Sequence, residues 1–269
     1  MQLKKTILIA AIVASMPVMA HAAETPEHVI TGNLGIFSNY IFRGVTQTSE
    51  KAALQGGFDY AHKSGAYAGV WGSNISWLSD SAIYTASSLE LDFYGGYKGT
   101  IGKSDFGYDV GAIVYYYPGD RAAVPVADLG NANTGEIYAG LSWQWITAKL
   151  SYAATEYFTL ADSKGTMYVD VSANYPIAKT GLSVQAHVGY LMVAGNSVAA
   201  CGVVPGGPTC SNDDAYSYAD WKLGVSYALP KDFTVGAFYA DTNGKVLAYS
   251  VLGTNWADKQ AGVFVSKTF

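Results

Sequence analysis

The chain has 269 residues, half of them hydrophobic and only 14% charged, with Tyr (21) and Gly (30) heavily used and Pro (8) sparse. A soluble enzyme of this size carries about a quarter charged residues, so the composition calls for a large surface that avoids water. Beyond the leader no apolar run reaches the roughly 20 residues of a membrane helix, and the net charge of −5 argues against nucleic acid as a partner.

The chain opens with an export signal. Lys4 and Lys5 supply a positive start, residues 6–19 an apolar stretch, and Ala20-His21-Ala22 a small-residue cleavage site. Residues 1–22 are therefore expected to be removed, leaving 23–269 as the mature protein. The competing reading, an uncleaved anchor, is opposed by the short apolar stretch and the missing stop-transfer charges. Loss of the two lysines takes the formal charge from −5 to −7.

Period-2 alternation then predicts about twelve strands, near 29–43, 52–62, 65–75, 87–99, 105–117, 134–145, 147–155, 166–176, 181–192, 216–229, 232–241 and 260–269. Leu89, Leu91 and Phe93 alternate with Glu90, Asp92 and Tyr94. Ile137, Ala139, Leu141 and Trp143 alternate with Glu136, Tyr138, Gly140 and Ser142. Val169, Val171 and Ala173 oppose Tyr168, Asp170, Ser172 and Asn174, and Trp221, Leu223 and Val225 oppose Asp220, Lys222 and Gly224. Cys201 and Cys210 fall in a stretch rich in Gly, Pro, Ser and Asn. In an exported chain the pair reads as a disulfide closing a small loop, with two free thiols as the alternative. A metal site is not expected there, because no further ligands are near. In the last strand Val263, Val265 and Phe269 share a face, interrupted by Lys267, which is read as reaching to the membrane interface. Barrel-assembly machinery adds such an aromatic-ended strand to its own sheet edge. Phe269 is therefore assigned as the assembly signal, with that machinery as a partner during biogenesis.

The connections alternate in length. Long ones fall at 44–51, 76–87, 118–133, 156–165, 193–215 and 242–259, and short ones at 62–65, 99–105, 145–147, 176–181 and 229–232. Outer-membrane barrels have this rhythm, and closure leaves no unpaired edge in lipid. The predicted fold is all-β: a closed antiparallel transmembrane β-barrel with short periplasmic turns and long outer loops, in contact with outer-membrane lipid. Tyr40, Phe42, Tyr60, Tyr97, Tyr115 to Tyr117, Trp145, Tyr175, Tyr227, Tyr239 and Phe269 lie near segment ends and are read as an interfacial girdle. The core of a soluble sandwich is the alternative.

The segment Gly32 to Thr48, which contains Ser38-Asn39-Tyr40-Ile41-Phe42-Arg43-Gly44, resembles the opening motif of the proteobacterial TorF-family porins. Residues 53–60, 65–74, 89–97, 115–119 and 266–269 resemble further blocks of that family in order, so the likeness runs through the whole mature chain. The resemblance implies an outer-membrane channel without an assigned substrate.

Turning the polar face inward gives candidate pore-lining residues Asn33, Asn39, Gln55, Asp59, Glu90, Asp92, Asp109, Glu136, Asp170 and Asp220. Lys98, Lys149 and Lys222 act as counter-charges, and His187 is inward by parity. Carboxylates in the majority predict passage of small hydrophilic solutes that are cationic or neutral. The alternative is that the charges pair and plug a barrel of modest bore. Arg43 is placed where the first strand meets the first outer loop. It is either an eyelet cation or a register-fixing partner of a carboxylate such as Glu90 or Asp92. A barrel enzyme is a second class, but a Ser–His mechanism needs an oriented His. His28 is expected before the first strand, His62 in a turn and His187 alone in the lumen, so no catalytic residue, metal ligand or cofactor is assigned. A third class is a structural or adhesive barrel whose working surface is the loop at 193–215.

Overall fold

The computed structural model describes residues 26–122, 129–202, 207–251 and 253–269. The expected leader lies outside them. Twelve long strands form one closed antiparallel barrel, each paired with its neighbours in sequence. They are β1 (His28–Phe37), β2 (Ala53–His62), β3 (Ala66–Asn74), β4 (Leu89–Thr100), β5 (Phe106–Tyr116), β6 (Thr134–Trp143), β7 (Ile146–Ala153), β8 (Met167–Pro176), β9 (Leu182–Met192), β10 (Tyr218–Leu229), β11 (Phe233–Thr242) and β12 (Gln260–Thr268).

The alternation of the sequence sets the two faces. Leu34, Phe58, Phe93, Ile137, Val169, Val188, Leu223 and Val263 are exposed on the outer wall, while Glu90, Asp92, Glu136, Asp170 and Asp220 are buried inside. Water would penalise that outer wall; hydrocarbon does not, and the closed ladder satisfies every strand's backbone within the sheet. Among the described residues no helix is long and apolar enough to cross a membrane.

Short turns lie at the rim that carries both chain ends, and long loops lie at the other. Aromatic pairs mark both rims. Trp145 meets Tyr175 edge-on at 5.4 Å and Phe106 stacks on Trp143 at 6.3 Å at the short-turn rim, with Trp221 5.7 Å from Tyr239 at the opposite one. Lys267 lies on the outer face, where its Nζ donates to the Lys231 carbonyl at 2.7 Å and sits 5.2 Å from the Phe269 ring.

The first strand departs from its predicted extent. It ends at Phe37, not at residue 43, and residues 38–52 leave the wall and turn into the bore. There Ile41–Phe42 and Val45–Thr46 form a small hairpin whose tip, Arg43-Gly44, has φ of 47° and 79°. A left-handed tip ends the extended run that the alternation suggests. Tyr40, Tyr115 and Tyr117 are consequently buried and belong with Phe42 to an internal cap rather than to the girdle. Tyr116 alone of its run faces outward. The cap fills the long-loop end of the barrel, with Trp71, Leu78 and Tyr84 in one apolar cluster and Tyr157, Tyr168, Leu191, Tyr218 and Trp256 in another.

The barrel closes between β1 and β12. That ladder runs from Asn33↔Thr268 to Phe37↔Phe264, whereas β1 and β2 pair from His28↔His62 to Phe37↔Ala53. Phe269 lengthens the seam: its amide donates to Gly32 at 2.8 Å and its carbonyl accepts from Gly32 at 3.2 Å. In the loop between β9 and β10, Cys201 and Cys210 are bonded.

Candidate functional site: the inner loop and the lumen

The loop at 38–52 is fastened in several directions. The Asn39 amide donates to Gln260 at the start of β12 (2.7 Å) and accepts from the Thr46 hydroxyl (2.6 Å). The Tyr40 hydroxyl donates to Glu90 on β4 at 2.9 Å. Arg43 donates to both oxygens of Glu136 on β6, each at 2.8 Å, and to the Tyr157 hydroxyl at 3.1 Å. Its carbonyl accepts from Tyr218 on β10 at 2.7 Å. In a ring of twelve strands in sequence order, β6 lies nearly opposite β1, so the loop crosses the bore.

The Arg43 and Glu136 side chains are 6% and 2% exposed. The guanidinium also lies 4.4 Å from the centre of the Tyr168 ring and 4.8 Å from that of Phe42. A planar fork on a carboxylate, covered by aromatic faces, suits arginine and not lysine. Gly44 is fixed by space as well as by its positive φ. A Cβ there would lie 2.5 Å from Thr242 Cγ2 and 2.6 Å from Asp220 Cβ.

The partner of Arg43 is therefore Glu136, not Glu90 or Asp92. Glu90 is taken by Tyr40, and Asp92 faces the lumen beside it. Among the described residues three buried carboxylate oxygens accept no hydrogen bond: Glu90 Oε2, Asp92 Oδ1 and Asp170 Oδ2. Lower in the bore, Tyr94 donates to Asp59 at 2.5 Å and Tyr67 donates to Asp109 at 2.6 Å. Lys98 Nζ lies 5.0 Å from the centre of the Tyr67 ring and Lys149 Nζ 5.3 Å from that of Tyr138. At the long-loop end, the Ser49 and Ser76 hydroxyls each donate to Asp80 at 2.6 Å. Burial pushes that carboxyl up, but the two donors and the nearby charge of Lys51 together outweigh it and hold it below its usual range.

On the far wall, His187 is not alone. Its Nε2 is 2.9 Å from Asp220 Oδ1 and 2.9 Å from the Tyr168 hydroxyl, which itself donates to Asp220 at 2.8 Å. Its Nδ1 is 3.1 Å from Ser172 Oγ and 3.6 Å from Asp170 Oδ2. Lys222 is the cross-strand partner of His187, and Lys149 that of Asp170. Gly189 makes the cluster possible, because a Cβ there would land on the Tyr168 hydroxyl. Ser172, His187 and Asp220 are connected in the order of a nucleophile, base and orienting acid. What they lack is an oxyanion pocket: Ser172 sits mid-ladder between Thr147 of β7 and His187 of β9, where backbone amides are spent on strand pairing. The Ser172 hydroxyl also faces Asp170 at 3.3 Å. The cluster reads as a polar lining that fixes three strands.

Residues 20–269 match a bacterial protein family of unknown function, Gcw_chp. The chain belongs to that family. None of the curated proteins matches its sequence. The Gcw_chp barrel is similar to the NanC porin in a rhombohedral crystal form, at 10% identity and TM-score 0.51 over 90% of this chain and 99% of that one. It also aligns with the KdgM porin in complex with disordered oligogalacturonate, at 10% identity and TM-score 0.49 over 89% and 98% of the two chains. For the outer membrane protein OprD from Pseudomonas aeruginosa the values are 14% and 0.39 over 89% and 65%. The likeness to NanC bears on the fold.

Sequence reasoning did not find Tyr40, Tyr157, Tyr168, Ser172 and Tyr218 as members of this Gcw_chp site. A tyrosine on the polar face of a strand, as at 168 and 218, was the available signal.

Proposed function

We propose that this Gcw_chp protein is an outer-membrane channel for passive diffusion of small hydrophilic solutes, and that the loop at 38–52 is its constriction. The observation that carries the proposal is the Arg43–Glu136 pair, which ties a loop rooted after β1 to the far side of a closed barrel. A passage through such a barrel is set by what that loop leaves open. In this reading the solutes are cations or neutral molecules. Arg43 is spent on Glu136, while Glu90 and Asp92 have no ion-pair partner among the described residues, and lumen carboxylates favour cations. The reading includes export by the leader at 1–22, insertion through barrel-assembly machinery using Phe269, and kinship with the TorF-family porins. The motif that carries the TorF resemblance, Ser38 to Gly44, is the inward loop itself.

The test is reconstitution in planar lipid bilayers under a potassium chloride gradient. The proposal expects small cation-selective steps from the native chain and larger ones from an R43A/E136A variant. A second reading, a structural or adhesive barrel that conducts nothing, is favoured by the near-complete burial at the level of the loop. Silence from both proteins at every voltage decides for that second reading.

A further inference from the structure

A separate group of ligating side chains lies away from the bore, at the rim that carries the chain ends. His28 opens β1, His62 closes β2, and the two are direct cross-strand partners. By strand parity both share the outward face with Ile30 and Tyr60, and their ring centres are 5.2 Å apart. Glu27 precedes His28, and its Oε1 is 3.5 Å from His62 Nε2. One ligating atom from each of Glu27, His28 and His62 lies within 4.8 Å of the other two.

Each ring is also held from behind. His28 Nδ1 is 2.9 Å from the Tyr60 hydroxyl and His62 Nδ1 is 2.8 Å from Ser64 Oγ. Both oxygens can accept an Nδ1–H, which leaves Nε2 of each ring as the free donor atom. The Ser64 amide donates to His62 Nδ1 at 3.2 Å, so binding a metal through Nε2 requires the His62 proton to move to Nδ1 and that bond to be given up.

We propose that Glu27, His28 and His62 form a site for a divalent transition metal of the zinc class, with its remaining positions open to water. Two imidazoles and a carboxylate suit zinc, nickel or copper, whereas magnesium and calcium select oxygen ligands. Paired strands hold the two histidine backbones. Ligand bonds of about 2.0–2.2 Å require the three atoms to draw closer, which the exposed side chains of Glu27 and His28 achieve by rotation. Lys63 Nζ, 3.0 Å from Glu27 Oε1, is the cation that the metal displaces; it is itself exposed. A lipid phosphate is the other ligand that two histidines and a lysine could attract, but the Glu27 carboxylate among them repels an anion.

The test uses untagged, metal-stripped full-length barrel folded in a nonionic detergent, titrated with zinc by calorimetry and with copper by electron paramagnetic resonance. The expected result is one equivalent of metal and hyperfine coupling from two imidazole nitrogens. H28Q and H62Q each remove part of that coupling, and Y60F weakens zinc about tenfold by freeing the His28 ring. H187Q, which alters the lumen histidine, leaves zinc uptake intact. Heat-modifiable gel migration shows that each variant is folded. No uptake by folded native protein, uptake that survives H28Q/H62Q together, or uptake lost in H187Q each overturns the assignment.

Discussion

Replacing Arg43 by Ala removes the two guanidinium donors from Glu136 and leaves a carboxylate that is 2% exposed with the Tyr115 hydroxyl at 3.3 Å but without its ion-pair partner. Stranding one member of a buried pair costs about 3–5 kcal/mol. Loss of the Tyr168 and Phe42 faces, at 4.4 and 4.8 Å, adds about 0.5–1 kcal/mol each. R43K keeps the charge but not the fork, so it should fall closer to R43A than to the native chain. E136A strands the guanidinium in the same way. In R43A/E136A neither charge is left alone, so the double variant should cost less than the sum of the singles by roughly 2 kcal/mol, inside the usual range for contacting pairs. The assay is urea unfolding in detergent micelles, followed by tryptophan fluorescence, for all four members of the cycle. A coupling below about 0.5 kcal/mol refutes the argument that this pair fastens the loop.

Other substitutions probe the rest of the structure. G44A forces a Cβ toward Thr242 and Asp220 at positive φ and should cost about 1–3 kcal/mol, read from the same urea midpoint. Val171 faces outward in the middle of β8 and Ser172 faces the lumen. V171R should therefore destabilise the barrel in lipid by about 2–4 kcal/mol, and S172R by much less; equal costs contradict the assigned faces. C201S/C210S opens a loop with a sequence separation of 9. It should remove roughly 2.5–3 kcal/mol of chain-entropy stabilisation locally, seen as faster proteolysis within 193–217 at an unchanged barrel midpoint. Deleting Phe269 should lower the amount of barrel assembled in cells, while refolding of the purified chain in detergent proceeds; equal amounts in cells contradict its role in assembly.

The faces of the barrel were legible because lipid exposes one side of every strand. Leu89 to Phe93 and Val169 to Asn174 alternate in the sequence, and their side chains divide in the same way between wall and bore. The loop rhythm was legible for a similar reason, since turns at one rim are short whatever their residues. The inward path of residues 38–52 was not. Asn39 to Phe42 continues the alternation of β1, and a period-2 pattern is the same in a wall strand as in a hairpin folded inside it. Only the Arg43-Gly44 tip hinted at a break. The Arg43–Glu136 pairing and the Tyr168–His187–Asp220 cluster depend on register and on which strands face each other across the bore. Alternation along one strand carries neither.

The seam between β1 and β12 has a consequence for how the barrel forms. Every other junction joins sequence neighbours, but this one brings Ser38 to Val263, 225 positions away. By loop-closure entropy that junction costs roughly 5 kcal/mol, about twice the cost of joining β1 to β2 across the loop at 38–52. Its ladder is also shorter than that of β1 with β2. Hairpins should therefore zip first and the ring should shut last, so amide hydrogens of residues 33–37 and 263–268 should exchange ahead of those at β8 and β9. A membrane chaperone that held this one junction open would control the whole insertion, with the Phe269–Gly32 exchange as the final clasp.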